Sequence, residues 1–334
     1  MPHAHNATFR RTQVDIFTGE GARTQTARSA AAPMSAPGDV GRMLMTEILC
    51  AGMAVADFVF RVPEIPSRAE KYRAHSLETV VGGQAANAAI AIARLGARAV
   101  LVTRLGEDAI ADSVRSALEA ESVECRIRRR GRSAVSAAMI DAAGERQIVN
   151  FPGEALAGEP GALDGIVPAA VLVDVHWPEA ALAGLALARS AGVPGVVDAE
   201  KPAPGAVLEA ATHVAFSRSG LAAFTGIGDK ESALAAAAHR LDAWVCVTDG
   251  AAGVSHMSGD GVKTIPAFPV RAVDTLGAGD VWHGAFALRL AEGADETTAV
   301  RFANAAAALK CAGAGGGRAA PDRGAVETLL EDHQ

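Results

Sequence analysis

Asp274-Thr275-Leu276-Gly277-Ala278-Gly279-Asp280 sets three small residues between two carboxylates, just ahead of an apolar run from Val281 to Leu290 that stops near Gly293. The run predicts a helix. Small residues before it let the free N–H groups of its first turn converge at the positive end of the dipole, which suits an anion such as a transferring phosphoryl group. Asp280, in that first turn, is placed to accept a proton from a nucleophile lying beside the anion. Taken alone, a Gly-rich loop with an acidic residue balancing the dipole accounts for the same residues. Gly82-Gly83-Gln84-Ala85-Ala86-Asn87 opens a second predicted helix, ending at Ala93-Arg94-Leu95-Gly96. Two glycines let a ligand approach the backbone, and Asn87, one turn in, can offer a donor and an acceptor to a pair of hydroxyls. Alone, a glycine pair before an Ala-rich helix also serves packing.

The elements that must position these residues alternate. Ile48 to Gly52 reads as a short buried strand, followed by the helix at about 84–95 and a strand at 99–103. Asp108 then caps a helix whose Ile110, Val114 and Leu118 share one face. Further strands are predicted at 171–175, 195–198, 213–216 and 243–248, with helical stretches between them. Strands separated by helices indicate an α/β fold with a mainly parallel sheet covered on both faces. Two stretches, 60–82 and 125–151, read as strands without intervening helices. In the second, Ser136 to Ile140 and Gln147 to Phe151 flank the hairpin turn signal Asp141-Ala142-Ala143-Gly144. A small inserted β-sheet acting as a lid suits both. Residues 1–45 lack sustained periodicity and read as a disordered extension, which leaves one domain over 46–334.

Half of the 334 residues are hydrophobic, so a sizeable core is available. The formal net charge of −7 repels phosphate backbones, and one Tyr and three Trp offer little for bases to stack on, so a nucleic-acid partner is not expected. Cys50, Cys125, Cys246 and Cys311 are far apart and form no CxxC pair, which argues against a zinc cluster or disulfide framework and fits a reducing compartment. No apolar run approaches the roughly 20 residues needed to cross a bilayer, and no apolar stretch follows Arg10-Arg11 as an export signal requires. The reading is a soluble, cytoplasmic protein with no membrane partner.

Together, about 190 residues apart and in this order, the two glycine motifs resemble the two signature regions of the PfkB/ribokinase family of sugar kinases. The likeness covers nearly all of 48–330, lid segments included. It implies a ribokinase-like three-layer α/β/α domain with a small β lid, ATP-dependent phosphorylation of a sugar hydroxyl, and a homodimer formed through the lid. Carried over by position, Asp280 matches the catalytic base, and Gly277, Ala278 and Gly279 match the anion hole. Asp57, in Gly52-Met53-Ala54-Val55-Ala56-Asp57, matches the carboxylate that holds sugar hydroxyls, and Gly82 and Gly83 with Asn87 match the sugar-binding pattern. Thr248, Gly250 and Gly253, in Val247-Thr248-Asp249-Gly250-Ala251-Ala252-Gly253, match the nucleotide loop, and Asn304 matches a position lining the adenine pocket. Asp274 and the 313–317 loop fall where many members bind a monovalent cation such as K+. On the residues alone, Asp57 reads as a turn cap, 247–253 as a strand-end turn and Asn304 as a polar residue on an Ala-rich helix. One departure concerns Mg2+. Where many members carry N-x-x-E, this chain has Ser217-Arg218-Ser219-Gly220, so Mg2+ is expected on the nucleotide phosphates with no protein ligand to name.

Several stretches look most like the bacterial sulfofructose kinase branch: Glu70-Lys71-Tyr72, 144–152, Ala215-Phe216-Ser217, and Ala308-Leu309-Lys310-Cys311 followed by Gly316-Gly317-Arg318. Lys71 and Arg146, on the lid, could grip a sulfonate or phosphate on a ketohexose, or could be solvated charges. That branch has a polar amide where this chain has Arg130-Gly131-Arg132, so a neutral acceptor such as fructose or ribose stays open. A nucleoside kinase and a non-catalytic sugar or nucleotide sensor on the same fold are the other readings. The basic run Arg126, Arg128, Arg129, Arg130 and Arg132 reads as an exposed strand face or as a means of steering an anionic sugar.

Overall fold

β1 (Glu47–Ala51) is buried after its first residue, as a central strand covered on both faces must be. The computed structural model of the chain describes residues 46–259, 261–313 and 315–333, so the extension expected over 1–45 lies outside the described residues. From β1 the chain runs through β2 (Val55–Arg61), β3 (Ser76–Gly82), α1 (Gln84–Arg94), β4 (Arg98–Leu105), α2 (Ala109–Ala120) and β5 (Glu124–Arg129). It continues through β6 (Val135–Ile140), β7 (Arg146–Phe151), β8 (Ala170–Asp174), α3 (Pro178–Ala191), β9 (Gly195–Ala199), α4 (Gly205–Glu209) and β10 (His213–Ser217). Then come α5 (Arg218–Thr225), α6 (Lys230–Arg240), β11 (Trp244–Thr248), the hairpin β12 (Val254–Ser258) and β13 (Gly261–Ile265), α7 (Ala278–Ala291), α8 (Glu296–Ala312) and α9 (Arg323–Glu331).

Among the described residues the large sheet has the order β13-β12-β11-β10-β9-β8-β1-β4-β5, in which β12 alone runs antiparallel to its neighbours β11 and β13. Alternation along its strands feeds two apolar layers. Ile48, Cys50 and Leu101 pack towards α1, α2, α7 and α8. Leu49, Ala51, Val171 and Val173 pack towards the helices between β8 and β11. This is the three-layer arrangement expected from strands alternating with helices. No helix among the described residues is long and apolar enough to cross a membrane.

The second, four-stranded sheet has the order β3-β2-β6-β7, and the 141–144 turn closes its β6–β7 hairpin. Asp141 Oδ1 accepts from the amides of Ala143 and Glu145 at 2.9 and 3.0 Å, which is why this turn was legible. The lid boundaries differ from the sequence expectation. Its first segment starts at Val55, and the stretch 125–151 divides. β5 is not lid but the edge of the large sheet, paired in parallel with β4, because α2 returns the chain beside β4 as a β-α-β crossover does. The arginine run therefore starts on that edge. Arg126 donates to the Asp164 carbonyl at 2.8 Å, and Arg129 donates to the carbonyls of Gly106 and Asp108 and pairs with Asp112. Asp108 joins the two sheets: it caps α2 through the Ala111 amide at 3.0 Å and also accepts from Ser133 N and Oγ at 2.8 and 2.7 Å.

Candidate active site

A cavity of about 580 Å³ lies between the carboxyl ends of the central strands and the lid. Crevices at that edge of a parallel sheet are where such folds place ligands. Its walls include Asp57, Ser136 and Asn150 from the lid, Asn87 from α1, and Gly277 and Asp280 from the α7 end. Five positions singled out in the sequence (Asp57, Gly83, Asn87, Gly277 and Asp280) thus meet around one space, although they are spread over more than 220 residues.

Asp280 sits in the first turn of α7, whose N-cap is Gly277 in the left-handed region at φ 76°. A side chain at 277 would be strained in that conformation, so glycine is required for the turn that leads the 277–279 backbone into the helix. Ala278 and Gly279 begin α7, where first-turn amides have no acceptor within their own helix, and the Ala278 amide makes a long 3.3 Å contact to the Thr275 carbonyl. Asn87 Nδ2 donates to Asp280 Oδ2 at 2.7 Å, fixing the carboxylate's orientation. Burial pushes the Asp280 carboxyl up to about 7, the nearby Asp198 carboxylate adds to the shift, and the Asn87 hydrogen bond opposes it. A carboxylate poised there is suited to general-base work near neutral pH.

The opposite wall is built by the lid. Asp57 lies on β2 directly across from Val80 of β3 and Ser136 of β6, and the Ser136 hydroxyl donates to its carboxylate. Burial raises its pKa, and the Ser136 bond acts against that rise. Gly82 is needed by close approach, since a Cβ there would lie 2.0 Å from Asp57 Oδ2. A half-buried carboxylate on the wall of the cavity is a hydroxyl acceptor in waiting.

Beneath these lies a row of groups that the sequence reading missed. Asp174 ends β8, Asp198 is the last residue but one of β9, and the two are paired across that parallel ladder. Asp174 accepts from the amides of Met53 at 2.6 Å, His176 at 2.9 Å and Ala85 at 3.3 Å, tying the loop after β1 to the start of α1. His283, one turn beyond Asp280, places Nδ1 3.2 Å from Asp198 Oδ2. Burial pushes His283 down and Asp198 well up; Glu200 and Asp174 add to the rise at Asp198. Arg104, also on the cavity wall, donates to the carbonyls of Ala157 and His176, both at 3.1 Å, and lies over the Trp177 ring. Only strand ends followed by a turn hinted at Asp174 and Asp198 in the sequence.

The remaining sites are apart from the cavity wall. Thr248 ends β11 with Oγ1 on the Phe216 carbonyl at 3.3 Å, and Gly250 and Gly253 bound the turn that follows, where Asp249 N meets Gly253 O at 2.9 Å. Asp249 itself is paired with Lys230 at 3.2 Å and Arg218 at 3.6 Å. Asn304 is buried, with its amide fully engaged. It accepts from Trp282 Nε1 at 2.8 Å and donates to the carbonyls of Pro266 at 3.0 Å and Ile265 at 3.3 Å, fastening α7, α8 and the end of β13 together. Lys71 and Arg146 are exposed and do not line the cavity, though Arg146 shares a strand face with Ile148 and Asn150, which do. For a divalent ion, no group of three or more His, Cys, Asp or Glu side chains converges among the described residues. At Asp274, the position matched to a monovalent-cation site, the Lys310 ammonium lies 2.7 Å from the Asp274 carbonyl oxygen.

Residues 45–323 match the family model described as pfkB family carbohydrate kinase. Ribokinase from Bacillus subtilis is 31% identical to this chain over 303 residues, covering 86% of this chain and all of that protein. The structure of Arabidopsis thaliana ribokinase complexed with ribose and ATP superposes with a TM-score of 0.77 at 28% identity, covering 86% of this chain and 99% of that one. Thermotoga maritima ribokinase superposes with a TM-score of 0.74 at 25% identity, over 86% and 99% of the two chains.

Proposed function

The chain belongs to the PfkB family of carbohydrate kinases, phosphotransferases with a hydroxyl acceptor, and we propose that it transfers the γ-phosphoryl group of ATP to a hydroxyl of a ketohexose-type sugar. The observation that carries this reading is the meeting of Asp280, Asn87 and Asp57 around one cavity at the positive end of α7. Asp57 accepts from sugar hydroxyls and Asn87 holds the base. Asp280 takes the proton of the attacking hydroxyl as its oxygen bonds to the γ-phosphorus, while the bond from that phosphorus to the oxygen bridging to ADP breaks. The 277–279 amides stabilise charge on the group in transfer. Thr248, Gly250 and Gly253 hold the nucleotide by backbone contact, and Asn304 supports the wall beside it. No group of three or more His, Cys, Asp or Glu among the described residues is gathered to hold Mg2+, so the ion would enter with the nucleotide and would supply neutralisation of its phosphate charge. The lid closes over the sugar and keeps water from the phosphoryl group.

The lid is also the proposed homodimer contact. Leu77 and Val149 are 54% and 62% exposed on the face of the lid turned away from the cavity, more apolar surface than a lid needs when alone. Light scattering should give twice the 34.0 kDa of one chain, and a monomer at micromolar concentration would remove this part of the proposal.

A second reading, an anionic ketohexose bearing a sulfonate or phosphate away from the attacked hydroxyl, is favoured by Arg146, on the same face of β7 as the cavity-lining Ile148 and Asn150. Removing a hydrogen-bonded charge partner costs on the order of 2–5 kcal/mol, about 30-fold or more in kcat/KM. Arg146→Ala should then lower kcat/KM steeply for the anionic sugar and little for fructose. Equal losses on both would leave the neutral sugar as the acceptor.

A further inference from the structure

Lys310 is the one lysine or arginine among the buried side chains described, and it is fully enclosed. It sits near the C-terminal end of α8, and its Nζ lies 2.7 Å from the Asp274 carbonyl and 3.5 Å from Asp274 Oδ2. A bare ammonium taken out of water is costly unless oxygens replace its hydration shell. Here the oxygens belong to the residue that opens the 274–280 turn. Asp274 in turn organises both sides of that turn. Its Oδ1 accepts from Leu276 N at 2.9 Å, its Oδ2 accepts from Gly315 N at 3.2 Å, and the amides of Val273 and Asp274 reach the Cys311 carbonyl at 2.7 and 3.2 Å. The positive charge, the turn and the loop after α8 therefore form one connected unit behind the proposed anion hole.

We propose that the Lys310 ammonium is the resident cation of this turn, standing where a free monovalent ion would otherwise bind, so that the protein works without K+. Lys310 is then a positioning residue. It holds Asp274, Asp274 holds the turn, and the turn presents the 277–279 amides. Two carbonyl and carboxylate oxygens of Asp274 that an ion would need are covered by a group covalently tied to α8, and a potassium ion cannot share that space with the Lys310 Nζ at these distances. A cation on a tether is never lost to dilution or exchange. The proposal deepens the kinase reading and rests on it for its turnover arm, but its thermal arm does not.

The test compares wild type with Lys310→Ala and Lys310→Met in potassium chloride and in tetramethylammonium chloride at equal ionic strength. Wild type should show the same Tm, the same ATP-induced Tm shift and the same kcat in both salts. Lys310→Ala should lose kcat by about 10- to 100-fold in tetramethylammonium, as misplacement of a remote support does. It should recover part of both kcat and the ATP-induced shift when K+ or methylammonium is added, which an ordinary structural ion pair would not do. Lys310→Met should lose activity without recovery, since its side chain fills the space. K+ activation of wild type would overturn the proposal even if neither variant folds, and so would wild-type kcat in Lys310→Ala. If no sugar is turned over, the salt dependence of the ATP-induced shift decides alone, which separates failure of this inference from failure of the kinase reading.

Discussion

Asp280→Asn should lower kcat by about 10²- to 10⁴-fold, the range that general-base removal covers. The amide keeps the size of the carboxyl, and the Asn87 contact at 2.7 Å can be kept through its oxygen, so sugar and ATP should still bind. A matching signature lies in the pH profile. The base must be ionised to take a proton, and burial with Asp198 nearby puts the Asp280 carboxyl at about 7. Wild-type kcat/KM should therefore fall below about pH 7 with unit slope and level off above it. The stability consequence has the opposite sense. A carboxyl whose folded pKa is raised binds more protons folded than unfolded between its ordinary value and 7, so stability declines as pH rises through that window. Asp280→Asn lifts this penalty and should raise Tm at pH 8, by about 2–4 °C for each kcal/mol regained in a domain of this size. At pH 4 the gain should vanish. A variant with near wild-type kcat would remove Asp280 from the chemistry.

Asp174→Ala should cost on the order of 3 kcal/mol in urea unfolding, because one buried and two part-buried amide donors lose their acceptor together, each such loss running to about 1–3 kcal/mol when the donor stays out of water. The donors belong to Met53, Ala85 and His176, so the loop after β1, the start of α1 and the end of β8 all loosen at once. Asp57 and Asn87 stand just beyond two of those donors, and the sugar KM should rise with the loss of order. Asp174→Asn keeps one acceptor oxygen and should cost less than half as much. A loss under about 1 kcal/mol for Asp174→Ala, the range of ordinary surface changes, would mean that the carboxylate does not brace the cavity floor.

What could be read from the sequence was local. The 274–280 turn, the 82–87 helix start, the Asp108 cap and the Asp141 turn each declare themselves within a few residues, because glycines, caps and small residues act on their own neighbours. Asp174, Asp198 and His283 do not. Each looks unremarkable in its own stretch, and they converge only because the sheet order places β8 beside β9 and α7 packs over that edge. The division of 125–151 failed for a similar reason. A strand has the same local pattern whether it extends the large sheet or the lid, and only its pairing with β4 decides. Lys310 shows the limit most plainly. Nothing in its own Ala-rich stretch distinguishes an enclosed lysine from one facing water, yet α8 turns it inward onto Asp274. The role implied for Asp274 by resemblance was tied to an ion, and no periodicity in α8 reveals that the chain carries its own.

The central claim is that this cavity moves a phosphoryl group from ATP to a sugar hydroxyl, and sugar-dependent ADP formation measures that directly. Purified protein with ATP and Mg2+ should release ADP well above the no-sugar rate with at least one member of a panel of ketohexoses, their sulfonated and phosphorylated forms, ribose and nucleosides. The product should carry one new phosphate ester, and Asp280→Asn should bring the rate back to background. ATP binding with no acceptor-dependent ADP from any member of the panel would contradict the account and leave a sensor on a kinase fold.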